Sequence, residues 1–474
     1  MSDHPLEEIL HPRSIAVVGA SASGRGGGFL TPLVENDFKG ELYPVNPKYD
    51  EIMGLKAYAR VRDIPGPLDY VISSIPAAGV LDLIDDCAEK KVKCVHLFTA
   101  RFSETGRKDA AELEQEILHR AQAAGIRLIG PNCLGVYYPK MRIAFNENMP
   151  KESGPVGLAS QSGGGVGEIT GFAGPRGIRF SKAISYGNAL DFNECDYLEY
   201  FTQDPDTEII LMYIEGLRDP RRFARVLREA AAIKPVVILK GGRGSAGTRA
   251  TASHTGSMAG TQKLFDSMVK QAGAVSVVDT EEMVDVALGF CFSTPITGRR
   301  TAVAGGSGGG SVWAADLCEE AGLDVIPLPQ EIRDELKSRG NPVWDWIGNP
   351  ADFSISMGER RDTAEIMKMM AAHPAFDLLL MFMSGPWRGG RPGNVSIEEH
   401  MKMYELREIA GKPMIVIFQE RPMGPPVKDS SQLAEMMIQM REWLIKNKIP
   451  SYPSIKRAAN AAVKVIEYYE RKPA

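Results

Sequence analysis

A glycine-rich segment at positions 242–260, GRGSAGTRATASHTGSMAG, surrounds one histidine, His254, with small residues and almost no hydrophobic bulk. Such a segment contributes little to a core and exposes its backbone to solvent or a ligand. Neither metal-ligand spacing nor a GxSxG motif lies beside His254, so zinc binding and a hydrolase triad are not indicated. Because imidazole is largely unprotonated at neutral pH, His254 is a candidate base or nucleophile, with an ordinary loop histidine as the alternative.

Three glycine-rich loops have the pattern of phosphate sites. They lie in SIAVVGASASGRGGG (14–28), GPVGLASQSGGGVGEITGFAG (154–174) and RRTAVAGGSGGGSVWAADLCEEAG (299–322), each between an apolar run and a helical stretch. Backbone N–H groups and the helix dipole attract anions there. In the first domain, Arg25 and Lys48 add positive charge, and Lys48 stands where an NAD enzyme would show an acid. A plain turn or close helix–strand packing is the alternative for each loop alone, whereas three such loops favour phosphate binding.

Further apolar runs alternate with helical stretches, which predicts parallel strands buried on both faces of doubly wound α/β sheets. The predicted strands are 68–76, 94–98, 126–130, 208–216, 235–242, 376–384 and 412–420. Polar segments near 146–153 and 294–299 predict three consecutive domains, 1–148, 149–296 and 297–474. Ligands of such sheets bind beyond the C-terminal strand ends, where we expect the functional residues.

The composition is that of a folded protein without general affinity for nucleic acid. The 474 residues are 44% hydrophobic and 24% charged, with a net charge of -5. There is no long apolar run and no apolar signal core at the N-terminus, so we expect neither a membrane span nor secretion. The six scattered cysteines, without a CxxC pair, predict reduced thiols in a cytoplasmic protein and no metal site.

Nine blocks, in order along the chain, resemble the NDP-forming acyl-CoA synthetases, which are relatives of succinyl-CoA synthetase. These blocks are PRSIAVVGAS (12–21), GELYPVNPKYDEIMGLKAY (40–58), GIRLIGPNCLG (125–135), SQSGGGVG (160–167), YIEGLRDPRRF (213–223), PVVILKGGRG (235–244), SHTGSMAG (253–260), AGGSGGG (304–310) and GNPADF (348–353). The resemblance spans essentially the whole chain. It implies a Rossmann-like CoA-binding domain followed by two flavodoxin-like ligase domains.

The resemblance also assigns roles to residues. His254 would be the nucleophile that carries a phosphoryl group, and Glu215 would hydrogen-bond its other imidazole nitrogen. Coenzyme A would bind along Ser21, Ala22, Ser23, Gly24, Arg25, Lys48, Ile75, Pro76, Thr99, Ala100 and Asn132. The phosphate would be held at two helix N-termini, which contain Ser160, Ser162, Gly163, Gly164 and Gly165 in one case and Gly308, Gly309 and Gly310 in the other.

The reaction implied by the resemblance converts a carboxylate, CoA and NTP into acyl-CoA, NDP and phosphate, through an acyl phosphate and a phosphohistidine. Nothing after residue 420 resembles the family's ATP-grasp domain. The resemblance therefore implies an α subunit, in a hetero-oligomer or an α dimer, whose separate ATP-grasp β subunit binds ATP or ADP with Mg. SQSGGGVG and TARFSE (99–104) depart from the family's usual SQSGALG and SAGFSE, and these departures predict an unusual acyl group.

Two other classes of function compete with this interpretation. A CoA-binding regulatory or scaffold protein would keep the fold without catalysis, but it would have no physical need for both His254 and Glu215. An NAD-dependent dehydrogenase would carry an acid after its second strand, where this chain has Lys48. Binding of CoA rather than NAD would argue against the dehydrogenase, and phosphate trapped on His254 would argue against the scaffold.

Overall fold

The computed structural model describes residues 4–21, 28–247, 249, 262–306, 308–342, 344–352, 360–383, 387–388, 391–392, 401, 411–418 and 430–472. The chain divides into two compact units, Met1–Met283 and Val284–Ala474. Two large sheets belong to the first unit and one to the second. The three-domain division at 148/149 and 296/297 stays a prediction.

The first unit alternates strands and helices along its length. Its strands are β1 Ser14–Val18, β2 Glu41–Val45, β3 Glu51–Ile52, β4 Leu55–Lys56, β5 Tyr70–Ser73, β6 Cys94–Leu97, β7 Arg127–Ile129, β8 Gly135–Tyr137, β9 Val156–Ser160, β10 Phe180–Ser185, β11 Ile209–Ile214, β12 Val236–Lys240 and β13 Val275–Val277. Its helices are α1 Pro5–Ile9, α2 Leu30–Glu35, α3 Val80–Glu89, α4 Lys108–Ala123, α5 Gly163–Ala173, α6 Glu194–Gln203, α7 Pro220–Ile233 and α8 Gln262–Gln271. Helix α9, Thr280–Phe292, crosses the boundary between the units.

The first sheet has the strand order β2-β1-β5-β6-β7, and all of its strands are parallel. Every residue of β1, β5 and β6 is buried, because helices cover both faces of a parallel sheet. The chain moves from β1 to one side for β2 and to the other side for β5. This reversal of the strand order is the switch point of the sheet. The crevice for a ligand is therefore expected there, at the C-terminal ends of β1 and β5.

The second sheet repeats this plan in the order β13-β12-β11-β9-β10-β8. Its direction changes between β9 and β11, which pair in parallel, so its ligand crevice is expected at their C-terminal ends. Strand β8 pairs antiparallel with β10 at the edge. Neither β8 nor β10 was predicted. Strand β10 contains Lys182, whose Nζ lies 2.8 Å from Asp204 Oδ2 in a fully buried ion pair, and this charge interrupts the apolar pattern.

The second unit contains a parallel sheet of order β14-β15-β18-β19. The remaining strands are β14 Thr301–Ala304, β15 Leu378–Met383, β16 Trp387–Arg388, β17 Arg391–Pro392, β18 Met414–Phe418 and β19 Ser451–Tyr452. The remaining helices are α10 Gly308–Ala321, α11 Gln330–Ser338, α12 Arg360–Ala372, α13 Ser430–Lys446 and α14 Ile455–Glu470. The predicted α/β class with mainly parallel sheets is confirmed. Within the described ranges, no helix is long and apolar enough to cross a membrane.

Candidate functional site

One edge of the first sheet carries the loops that the family resemblance assigns to coenzyme A. Because the five strands are parallel, all of their C-terminal ends meet at this edge. The described residues of the assignment are Ser21 after β1, Lys48 after β2, Ile75 and Pro76 after β5, Thr99 and Ala100 after β6, and Asn132 after β7. Ala22, Ser23, Gly24 and Arg25 lie outside the described residues.

Hydrogen bonds between neighbouring loops hold this edge in place. Asn46 Nδ2 donates to the carbonyl of Ala20 at 2.7 Å, which ties the loop after β2 to the loop after β1. Thr99 Oγ1 donates to the carbonyl of Ile75 at 2.8 Å, and the backbone N–H of Asn132 donates to the carbonyl of Thr99 at 2.9 Å. The loops after β5, β6 and β7 therefore form a continuous surface.

The turn after β1 requires glycine at position 19. Gly19 has a φ of +90°, and a Cβ there would lie 2.7 Å from Ser74 Oγ. The absence of a side chain lets the loop after β1 approach the loop after β5 at the switch point. Lys48 is exposed at the same edge, so its ammonium group is available to an anionic ligand.

The second sheet places the SQSGGG loop at its own switch point. Ser160 ends β9, and Ser162 is the N-cap of α5, whose first turn is Gly163, Gly164 and Gly165. Ser162 Oγ accepts a hydrogen bond from the N–H of Gly165 at 3.2 Å, and Ser160 Oγ donates to the carbonyl of Ser162 at 2.7 Å. Both hydroxyls thus shape the loop, while the helix N-terminus supplies the positive end of a dipole.

Glu215 follows β11 directly and lies beside this loop. Gln161 holds its backbone, because Gln161 Oε1 accepts from the N–H of Glu215 at 2.7 Å and from the N–H of Gly216 at 3.0 Å. Lys240 Nζ donates to the carbonyl of Glu215 at 2.7 Å. The Glu215 side chain is 7% exposed, and Tyr213 OH donates to its Oε1 at 3.3 Å. The carboxylate is therefore held at a fixed position at the C-terminal edge.

Burial changes the protonation chemistry of the groups around Glu215. Desolvation lowers the pKa of the Lys240 ammonium, and the charge of Glu215 partly offsets this shift. Desolvation raises the pKa of the Tyr213 phenol above its usual value, and the nearby Glu215 carboxylate raises it further. Tyr213 therefore remains a neutral hydrogen-bond donor toward Glu215 across the physiological pH range.

The segment that carries His254 begins next to Glu215. The N–H of Gly241 donates to the carbonyl of Ile214 at 2.8 Å, and a Cβ on Gly241 would lie 3.3 Å from Glu215 Cγ. Helix α8 begins at Gln262 on the other side of the segment. His254 itself lies outside the described residues.

Two contacts link the first edge to the N-terminus of α5. The N–H of Leu134 donates to Ser185 Oγ at the end of β10, at 3.2 Å. A Cβ on Gly163 would lie 3.2 Å from Leu134 Cγ. The chain from Asn132 to Leu134 thus connects the loops predicted to bind CoA with the helix start predicted to hold phosphate.

The third predicted phosphate loop belongs to the second unit. Helix α10 begins at Gly308, so Gly308, Gly309 and Gly310 form its first turn. Asp352 lies beside this turn, since a Cβ on Gly308 would be 3.2 Å from Asp352 Oδ2. A carboxylate at a helix N-terminus is stabilised by the helix dipole, so a phosphate bound there would meet a negative neighbour.

The contacts of Gln161 lead to a prediction about stability. Gln161→Leu removes the acceptor of two N–H groups, and we expect it to lower the free energy of unfolding by about 1–3 kcal/mol. Urea denaturation measures this loss. The control is Gln122→Leu on the exposed face of α4, which we expect to change the same quantity by less than about 0.5 kcal/mol. Equal stability of the two variants would contradict the role of Gln161.

Two sequence profiles match the chain over most of the first unit. A CoA binding domain matches residues 13–139, and a succinyl-CoA ligase like flavodoxin domain matches residues 153–290. The relative named acetate–CoA ligase (ADP-forming) II subunit alpha, from Pyrococcus furiosus, is 32% identical over 464 residues, which cover 98% of this chain and 97% of the relative. This chain belongs to the NDP-forming acyl-CoA synthetases. The resemblance seen in the sequence is confirmed.

Members of the NDP-forming acyl-CoA synthetase family differ in length. The ADP-forming acetate–CoA ligase of Methanocaldococcus jannaschii is 36% identical over 353 residues, which cover 74% of this chain and 49% of that protein. This chain therefore spans about half the length of that relative. A solved structure of dinucleotide forming acetyl-coenzyme A synthetase 1 from Ca. Korarchaeum cryptofilum, in complex with phosphate and ADP, has a TM-score of 0.82 and 31% identity. It covers 98% of this chain and 97% of its own, which confirms the predicted fold class.

Sequence reasoning missed two residues that hold Glu215 in this member of the family. Gln161 stands inside the quoted loop SQSGGG, but only its serines and glycines were assigned a role. Lys240 ends the run PVVILK, where a charge at the end of an apolar strand was the available signal. Both side chains are 5% exposed, and a polar residue at the end of a buried strand calls for a partner.

Proposed function

We propose that this chain is the catalytic α subunit of an NDP-forming acyl-CoA synthetase. The reaction joins a carboxylic acid to CoA as a thioester and converts NTP into NDP and phosphate. One observation carries the proposal: Glu215 stands at the switch point of the second sheet, beside the N-terminus of α5 and beside the start of the segment with His254. A carboxylate, a helix N-terminus and a histidine are the groups that a phosphoryl relay needs.

CoA fits the edge of the first sheet as the thiol substrate. Lys48 and the loop from Ser21 to Arg25 would bind its phosphates, through the lysine ammonium and backbone N–H groups. Ile75, Pro76, Thr99, Ala100 and Asn132 would line its arm. The continuous surface from β5 to β7 supports this path, since it leads through Leu134 to the start of α5.

His254 would act as the nucleophile of the relay. The free imidazole nitrogen attacks the phosphorus of an acyl phosphate, the P–O bond to the acyl oxygen breaks, and the carboxylate leaves. Glu215 would accept a hydrogen bond from the other ring N–H, fix the tautomer and stabilise the positive ring. The helix start at Ser160, Ser162 and Gly163–Gly165 would hold the phosphoryl oxygens, and the one at Gly308–Gly310 would be the second phosphate site.

The nucleotide half of the reaction would belong to a separate ATP-grasp β subunit. The name of the Pyrococcus furiosus relative as subunit alpha supports a partner chain. That partner would bind ATP or ADP with Mg, in a hetero-oligomer. In the described residues, no group of three or more histidine, cysteine or acidic side chains is arranged to hold a metal ion. We propose residues 1–148 as the CoA-binding domain and 149–296 and 297–474 as the ligase domains.

The six cysteines support a reducing, cytoplasmic setting for the protein. All of them are free thiols, and five are buried. Burial raises the pKa of the Cys133 and Cys195 thiols to about 12, which leaves them protonated and unreactive. A CoA-binding scaffold without catalysis remains the alternative function, and phosphorylation of the chain distinguishes the two.

The position of Lys48 leads to a prediction about CoA affinity. We expect Lys48→Ala to weaken CoA binding by about 1–3 kcal/mol, which is roughly 5- to 150-fold, because a charge-assisted contact is lost. Isothermal titration of the purified chain with CoA measures the change. The control is Lys39→Ala, since Lys39 is exposed and precedes β2 at the opposite edge, whereas Lys48 follows β2. Unchanged affinity in Lys48→Ala would place the CoA phosphates elsewhere.

A further inference from the structure

Arg101, in the loop after β6, has a backbone conformation that side chains rarely adopt. Its φ is +80°, whereas the other described non-glycine residues with positive φ lie between +51° and +60°. Left-handed backbone favours glycine, because a Cβ crowds the neighbouring carbonyl oxygen. Strained residues of this kind cluster at ligand sites, where the surrounding structure holds them in place.

The surroundings of Arg101 fix its backbone without using its charge. The Glu104 carboxylate accepts a hydrogen bond from the backbone N–H of Arg101. It also accepts one from the backbone N–H of Phe102, which lies 3.1 Å from Oε1 and 3.0 Å from Oε2. Asn188 Nδ2 donates to the same carboxylate at 2.7 Å. Phe102 is fully buried and anchors the loop in the core. The Glu104 carboxylate therefore accepts hydrogen bonds from two backbone N–H groups and one side-chain amide.

The Arg101 side chain is exposed at the edge of the first sheet where the C-terminal strand ends meet. Among the described residues, no carboxylate lies within ion-pair distance of its guanidinium. Other arginines of the first unit do have such partners, as Arg127 does with Asp191 at 2.8 Å. A solvent-facing arginine has no structural need of a glycine-like backbone, so this position calls for a ligand that the guanidinium would bind.

The place of Arg101 in the sheet narrows the choice of ligand. It follows Thr99, whose carbonyl accepts from Asn132, and Asn132 leads through Leu134 to the start of α5. The proposed CoA phosphates lie at β1 and β2, and β1 is separated from β6 by β5, which corresponds to about 10 Å. Arg101 is therefore nearer the thiol end of the proposed CoA path than the phosphate end.

On the basis of the proposed function, we propose that Arg101 binds an oxyanion at the acyl end of the substrate. Guanidinium groups bind carboxylate and phosphoryl oxygens in pairs. The oxyanion is therefore either a second carboxylate on the acyl chain or the phosphoryl group of the acyl phosphate. In both cases Arg101 determines which acyl-CoA reacts, or how fast it reacts.

Arg101→Gly tests this assignment with the full chain. The parent and the variant are incubated with labelled phosphate and either succinyl-CoA or butyryl-CoA, which differ by a terminal carboxylate. We expect the variant to lose about tenfold or more of its labelling rate, as for loss of a charge-assisted contact. Loss with succinyl-CoA alone identifies an acyl carboxylate, and equal loss with both acyl-CoAs identifies the phosphoryl group.

The thermal midpoint and the affinity for free CoA distinguish loss of the oxyanion contact from loss of the fold or of CoA binding. Glycine suits the left-handed backbone, so we expect the thermal midpoint of Arg101→Gly to equal or exceed that of the parent, which shows that the fold is retained. Affinity for free CoA should stay unchanged. The control is Arg142→Gly, which changes an arginine of φ +59° where the chain turns after β8, at the opposite edge of the second sheet. Its labelling should equal that of the parent.

Three results would overturn the inference. Unchanged labelling in Arg101→Gly would show that the guanidinium contacts no reacting group. An equal loss in affinity for free CoA would assign Arg101 to the CoA phosphates. No labelling of the parent by either acyl-CoA, or by acetyl-, benzoyl- and glutaryl-CoA, would overturn the proposed function and this inference with it.

Discussion

His254→Ala is expected to acquire no phosphoryl group when it is incubated with acyl-CoA and labelled phosphate, whereas the parent chain acquires one. The proposed half-reaction needs only the proposed CoA site at the C-terminal edge of the first sheet, the helix N-termini and a nucleophile. Phosphate attacks the thioester carbonyl to give an acyl phosphate and free CoA, and the phosphoryl group then moves to the imidazole. Because no other residue is proposed to accept it, the expected loss is complete.

The control for this experiment is an exposed histidine outside the site. His119 lies on the exposed face of α4, so His119→Ala should label as the parent does. CoA affinity of His254→Ala should also equal that of the parent, which separates loss of the nucleophile from loss of the fold. Label retained in His254→Ala would assign the phosphoryl group to another residue.

Glu215→Gln is expected to lower the yield of phosphorylated enzyme by roughly 10- to 150-fold, the range for one charge-assisted hydrogen bond of about 1.5–3 kcal/mol. Glutamine keeps the shape of the side chain and loses its negative charge, so the positively charged ring is no longer stabilised. Gln161 and Lys240 hydrogen-bond the backbone of Glu215, and these backbone contacts persist in the variant. The fold is therefore expected to survive.

The matched control is Glu208→Gln. Glu208 is exposed and precedes β11, whereas Glu215 follows the same strand at the opposite edge. Quantitative phosphoenzyme assays should show parent-like yield for Glu208→Gln and low yield for Glu215→Gln. Equal yields in the two variants would remove Glu215 from the mechanism.

The sequence predicted many of the parallel strands, because these are short apolar runs between glycine or polar segments, but it did not predict the parallel strands β10, β13 and β19. The run LDYVISSIP contains β5, and PVVILKGG contains β12. Strand β10 was missed because its Lys182 is neutralised by Asp204, a partner that no local pattern reveals. Strand β8 was missed because three residues carry too little periodicity.

The site could be predicted from sequence only as separate pieces. Local composition indicated candidate anion-binding loops, and the resemblance to a family supplied the predicted role of Glu215. The clamp that Gln161 forms on the backbone after β11 depends on strand order, which brings positions 161 and 215 together at one switch point. The conformation of Arg101 is held by the Glu104 carboxylate, and Asn188 contacts that carboxylate from a distant part of the chain, which the sequence TARFSE does not show.

The position of the phosphoryl group on the chain is a direct test of the proposed role of His254. The parent chain is labelled with phosphate and acyl-CoA, digested at alkaline pH and sequenced by fragmentation mass spectrometry. We expect a base-stable, acid-labile phosphoryl group on the peptide that contains SHTGSMAG, at His254. A phosphoryl group on a serine or a carboxylate, or no phosphoryl group with any acyl-CoA, would contradict this role.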